Sequence, residues 1–180
     1  YNSKGGQCYA GVNNAETPCD FTYTGIKNDT TRNMIADAKW SLLGWLDEGV
    51  NVYADQSYKL ENTSGTVYTG NKTSWTGKIA LPYPSDYAYS AYLGKCTSTL
   101  GEYSNCSSWM KTMFNSKTIA LLTPIVSSSF VFHVAGGCLD LGEPYAALDS
   151  EIFPTFYLNA NVSIKTGSGT LNSPYQLSVG

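Results

Sequence analysis

The stretch KTIALLTPIVSSSFVFHVAGGCLDLGEPYAALDS, residues 117–150, decides the fold class. KTIALLTP, residues 117–124, is a short apolar run closed by Pro124. A proline has no N–H to give to a ladder, so the run predicts a buried strand that stops there. FVFHV, residues 130–134, is β-branched and aromatic and predicts a second strand. AGG at 135–137 supplies turn residues, and CLDL, 138–141, pairs back as a hairpin. Side chains of a strand alternate between faces, so Phe130, Phe132 and Val134 share one side, and Val131 and His133 the other. With Phe132 and Val134 on the core side, His133 is expected to face outward.

Working outward, TRNMIADAKWSLLGWLDEG, residues 31–49, predicts a helix. Thr30 or Thr31 is positioned to cap it, and Met34, Ala38 and Leu42 fall at helical spacing with Ile35 and Leu46 beside them. Trp40 and Trp45 help bury it, and Gly44 or Gly49 ends it. SSWMKTMFN, residues 107–115, predicts a second helix with Trp109, Met110 and Met113 as its core stripe. Residues 50–75 read as short strands or loops. Lys78 to Leu81 read as a strand halted by Pro82 and Pro84. The last segment reads as a strand through Tyr157, Val162 and Ile164, a Gly-rich turn and a terminal strand. The sum is an α+β chain, two helices packed on irregular antiparallel sheets.

A chain of 180 residues suits one domain with its own core. Charged residues make up only 14%, against roughly 25% in typical soluble proteins, and polarity falls instead to Ser, Thr, Asn, Gly and 14 Tyr. Such a palette points to a secreted or surface-exposed protein with good contact surfaces. A net charge of -3 without any basic run argues against nucleic acid as a partner. No segment reaches the roughly 18 to 20 consecutive apolar residues of a membrane helix, so no membrane insertion by this segment is expected. Cys8 and Cys19 enclose one polar loop, and Cys96 and Cys106 another. Each pair is spaced for a disulfide that would contribute about 2 to 3 kcal/mol by restricting the unfolded chain. The Cys8–Cys19 loop defines an N-terminal extension, residues 1–24, ahead of a domain at 25–180. The abrupt start at YNSKGGQ reads as a mature or trimmed segment. Cys138 is left over.

His133 is the only histidine and lies five residues before Cys138, which raises a Cys/His nucleophile as a question. No Lys or Arg lies between Lys117 and Lys165, while Asp140, Glu143 and Asp149 stand close in sequence. That acidic setting disfavours a thiolate, so neither residue is assigned a catalytic role. A lone histidine and the lack of any C-x-x-C argue against zinc, and no dinucleotide, phosphate-loop or calcium-loop motif is present. The acid pairs Asp47/Glu48 and Asp149/Glu151 read as solvated surface. No enzyme, cofactor or metal is expected.

Three stretches together carry a family resemblance: SWTGKIALPYPSDYAYSA at 74–91, LLTP at 121–124 with VFHV at 131–134, and FPTFYLNANVSIKTGSGTLNSPYQL at 153–177. They resemble a large group of bacterial surface proteins with a C-type-lectin-like fold. TTRNMIADAKWSLLGW and the Cys96 to Cys106 loop also have counterparts there, so the resemblance runs from about residue 25 to the end. Some members of that group carry a prepilin-type N-terminal helix. Others are similar to the variable proteins of diversity-generating retroelements, in which a fixed scaffold displays a mutable patch near the C terminus. The resemblance implies a scaffold of Val131, Phe132, Val134, Gly137, Leu139 and Pro154, and a variable patch within 125–151. Its ligand-contacting candidates are Ile125, Val126, Phe130, His133, Ala135, Cys138, Leu141, Glu143, Tyr145, Ala147 and Leu148. Leu139, Leu141 and Leu148 fit an ordinary core as well. The chain departs from the group's pattern at Phe153, where a basic residue is usual, and at LPYP, 81–84. The implied function is an adhesin-like module binding a protein or glycan of a host or neighbouring cell. The alternatives are a structural pilin-like subunit among other pilus subunits and, more remotely, an enzyme of the formylglycine-generating type. The implied location is extracellular, on a bacterial surface or pilus.

Overall fold

The computed structural model describes residues 28–45, 51–67, 72–91, 96–106, 108–114, 117–124, 131–136, 138–142, 153–170 and 172–180. Within them short helices alternate with three small antiparallel sheets, a mixed α+β arrangement. Helix α1, Asp29–Met34, is followed by strand β1, Ala38–Ser41. Helix α2, Ala54–Lys59, continues directly into a π-helical turn, Leu60–Ser64. Strand β2, Ser74–Gly77, pairs with β1, and helix α3 spans Pro84–Tyr89. A 3₁₀ turn, Leu100–Asn105, precedes helix α4, Trp109–Phe114. Strands β3, Ile119–Pro124, β4, Val131–Ala135, and β5, Cys138–Gly142, form the three-stranded sheet in that order. The C-terminal pair is β6, Val162–Thr166, with β7, Gln176–Val179.

The expected helix over 31–49 is corrected. It ends at Met34, because Ile35 turns extended and bridges Leu158, while the Ala36 N–H donates to the Tyr157 carbonyl at 2.8 Å. Residues 38–41 then pair with β2, setting Trp40 opposite Trp75. Trp40 is buried, its indole N–H donates to the Gly77 carbonyl at 2.8 Å, and its ring lies 5.1 Å from that of Tyr157. A strand satisfies this ring better than a helix would, and tertiary packing overrides local propensity. The cap belongs to Asn28, whose Oδ1 accepts from the Thr30 N–H at 2.8 Å, rather than to either threonine.

Other expectations need the same treatment. Residues 54–64, read as strands or loops, are helical. The strand near 80 lies earlier, at β2, and Ala80 makes only an isolated bridge to Thr155. Helix α4 stands where it was expected, but only Met110 of its stripe is buried: Trp109 is 56% and Met113 49% exposed. Tyr157 lies outside a strand, whereas Val162 and Ile164 belong to β6. Strands β3, β4 and β5 stand where the sequence put them, with Ile119, Leu121, Phe132 and Val134 buried as the alternation requires.

The main core forms between this sheet and α3, the 3₁₀ turn and α4. It holds Trp45, Tyr87, Leu100, Tyr103, Met110, Ile119, Leu121, Phe132 and Val134. Trp45 stacks on Phe132 with ring centroids 4.3 Å apart, a geometry that adds about 0.5 to 1.5 kcal/mol to the burial of the two rings. The Cys96–Cys106 disulfide, with Cα atoms 5.3 Å apart, ties down the 3₁₀ turn at the core's edge. Cys8 and Cys19 lie outside the described residues, as does the whole 1–24 extension.

Candidate functional site

The three-stranded sheet has two unlike ends. At one end Pro124, Val131 and Gly142 lie side by side, since Val131 pairs with Pro124 on one flank and with Gly142 on the other. The segments 125–130 and 143–152 are therefore both rooted at this end. Gly44 braces it from outside. A methyl group at Gly44 would overlap the Pro124 carbonyl oxygen, and Gly44 is itself held by paired backbone hydrogen bonds with Thr66 at 2.8 and 3.0 Å. The root of both segments is thus a packed backbone junction.

At the opposite end β4 turns into β5 through Gly136, whose φ of 59° lies in the left-handed region that favours glycine. Strand β5 runs alongside the 3₁₀ turn that the disulfide fixes. Cys138 is half-buried near Tyr87, whose hydroxyl is pushed up from its ordinary range first by burial and then by the neighbouring thiol. Tyr103 packs on Tyr87 at 5.8 Å and donates its hydroxyl to the Ala88 carbonyl at 2.6 Å. This end of the sheet is locked against the core.

The eleven candidate contact residues divide accordingly. His133 is corrected: it is only 8% exposed, and its strand is the middle one of the sheet. A central strand can be covered on both faces, which is why alternation alone misplaced it. Ala135 and Cys138 sit half-buried at the turn end, four strand residues or roughly 13 Å from Val131. Leu141 is the register partner of Phe132 in the middle strand. Ile125, Val126, Phe130, Glu143, Tyr145, Ala147 and Leu148 lie outside the described residues. Leu148, the third residue that also fitted a core, is among them, while Leu139 pairs with Val134. His133 and Cys138 do share a face of the hairpin. Their register positions are diagonal, a spacing of roughly 7 to 8 Å between Cα atoms, and Asp140 is the direct partner of His133.

One polar site was missed from the sequence. Glu61, in the π-helical turn, is completely buried. Its Oε1 accepts from the Ser57 hydroxyl at 2.6 Å and from the Ser85 backbone N–H at 3.0 Å, and the Ser85 hydroxyl contacts Oε2. Its own carbonyl accepts from the Ser41 hydroxyl, and the Tyr83 hydroxyl donates to the Ser41 carbonyl at 3.0 Å. Burial drives the Glu61 carboxyl up to about 7, opposed by the three hydrogen bonds from Ser57 and Ser85 and reinforced by the charge of Asp86. The i, i+4 spacing of Ser57 and Glu61 was the available signal. It has meaning only once 54–64 is read as helical.

Among the described residues no group of His, Cys, Asp and Glu suits a metal ion, and no helix is long and apolar enough to cross a membrane. No family model, curated protein or solved structure matches the chain.

Proposed function

We propose that the chain is a non-enzymatic ligand-binding domain, adhesin-like and of C-type-lectin-like type, displayed extracellularly on a bacterial surface or pilus. Its binding surface is formed by the segments rooted at Pro124, Val131 and Gly142. The observation that carries this reading is that junction: segments of six and ten residues, 125–130 and 143–152, leave one end of a sheet in which Ile119, Leu121, Phe132 and Val134 are buried. A scaffold of this kind lets the emerging segments change sequence at small cost to the core, which is what variable display requires. On this reading the patch centres on Ile125, Val126, Phe130, Glu143, Tyr145, Ala147 and Leu148, whereas His133 is buried and Ala135 and Cys138 stand at the far end of the sheet. The Cys96–Cys106 disulfide is compatible with an oxidising compartment.

The test is to scramble residues 125–130 and 143–148 at constant composition and to probe parent and variant against arrays of glycans and bacterial surface proteins. The reading expects partners of the parent to be lost while the thermal melt is kept. An identical partner profile in both would refute it.

A structural pilin-like role has its own supporting observation. The β6–β7 hairpin leaves Ile164, Tyr175 and Val179 exposed together at the C-terminal end, a surface suited to a neighbouring subunit. Sedimentation of the parent and of an Ile164→Ser, Val179→Ser double variant discriminates, because only the subunit reading expects a self-association that the double variant abolishes.

A further inference from the structure

Glu61 is a fully buried carboxyl that joins three elements. Ser57 belongs to α2, Ser85 to the first turn of α3, and the Ser41 hydroxyl reaches the Glu61 carbonyl from β1. The groups that face it are few. From α3 and its cap come Asp86, whose charge disfavours an anion here, and Tyr83, which senses the Glu61 charge in turn; β1 presents only the neutral Ser41. Lys59 and Asp55 of α2 pair with each other in solvent at 3.7 Å. No Lys, Arg or His is among the groups that shift Glu61.

An anion so placed would have hydrogen bonds but, among the described residues, no counter-charge, an arrangement that costs more than a neutral acid in the same place. The geometry accommodates the neutral form fully. Oε1 keeps its two donors, and a hydroxyl can accept as readily as donate, so a proton on Oε2 lets the Ser85 contact reverse.

We propose that Glu61 and Ser85 form a proton-dependent latch. With its proton, Glu61 stays buried without charge and holds α2 and its π-helical turn against the start of α3; losing the proton leaves a charge in a site closed to solvent and favours opening of that packing. The latch has a surface consequence. Tyr58 of α2 and Tyr89 of α3 are both about half exposed and meet edge to face with centroids 6.3 Å apart, so the proton on Glu61 fixes the geometry of an exposed aromatic pair. Glu61 lies in the π-helical turn that continues α2, four residues after the buried Ser57.

The sign is set by a carboxyl raised in the closed state from 4.5 to about 7. The latch's contribution is full below the ordinary carboxylate value and falls as pH rises toward neutrality. Amide hydrogen exchange over 54–64 and 84–90, corrected for intrinsic rates and measured on the whole chain, reads it. Between pH 5 and 8 opening of these segments is expected to rise on the order of fiftyfold in the parent and to stay level in Glu61→Gln. An equal rise in both proteins overturns the proposal. Should Glu61→Gln fail to fold, a carbon-detected titration of the Glu61 carboxyl in the parent decides: a midpoint near neutrality upholds the latch, and one in the ordinary carboxylate range overturns it.

Discussion

The sheet β3–β5 and the hairpin β6–β7 are both antiparallel, both short and both alternating in sequence, yet they differ in almost everything that matters physically. In the first, Ile119, Leu121, Phe132 and Val134 are closed off from solvent, and a disulfide-bound turn flanks one end. In the second, Ile164 is 57% exposed, and the polar contacts of the pair, Ser163 with Ser178 and Thr166 with Gln176, lie on the surface. A two-stranded ribbon is marginal alone, so β6–β7 depends on its covalent attachment and on the segment before it, which bridges Ala80 and Ile35. The contrast shows that alternation reports a strand and not what covers it. Among the described strands, close packing is concentrated in the β3–β5 sheet.

The strongest way to break that contrast is Phe132→Ala. Removing a buried ring stacked on Trp45 is expected to cost about 3 to 5 kcal/mol in denaturant unfolding. A loss below about 1 kcal/mol would mean that the sheet is not the structural centre. Next comes Cys96→Ser with Cys106→Ser. Opening a loop of sequence separation 10 is expected to cost about 3 kcal/mol, and reductant should lower the midpoint of the parent but not of the double variant. Gly44→Ala places a methyl against Pro124, where the segment 125–130 begins. Its expected cost is about 1 to 3 kcal/mol by overpacking, read from the same unfolding curves. Least of all, Ile164→Ser on the open hairpin should stay within about 0.5 kcal/mol of the parent.

Legibility in the sequence followed the same division. Strands β3, β4 and β5 were readable because apolar runs, Pro124 and the AGG turn all point to one answer. The helix over 31–49 was misread because Met34, Ala38 and Leu42 keep helical spacing in a segment that long-range pairing makes extended after Met34. Helix α3 went unread although its signals are local: Pro84 at the first helical position and Asp86 accepting from the Tyr83 N–H at 2.9 Å. In sequence, Pro82 and Pro84 read only as the stop of a strand. The strand ends that flank 125–130 were legible, since Pro124 closes one strand and the hairpin fixes the next. His133 was not, because the coverage of a middle strand is decided by neighbours distant in sequence. Glu61 was hidden for the same reason, its partner Ser85 lying 24 residues away.

The proposed function requires that residues 125–130 and 143–148 be carried by the frame and not build it. It is tested most directly by replacing Ile125, Val126, Glu143, Tyr145, Ala147 and Leu148 together with Ser and recording thermal unfolding. A midpoint within about 4 °C of the parent, equivalent to roughly 1 kcal/mol for a domain of this size, is the predicted result. A fall of 10 °C or more, on the order of 3 kcal/mol by the same scaling, would contradict the claim and return these side chains to the core.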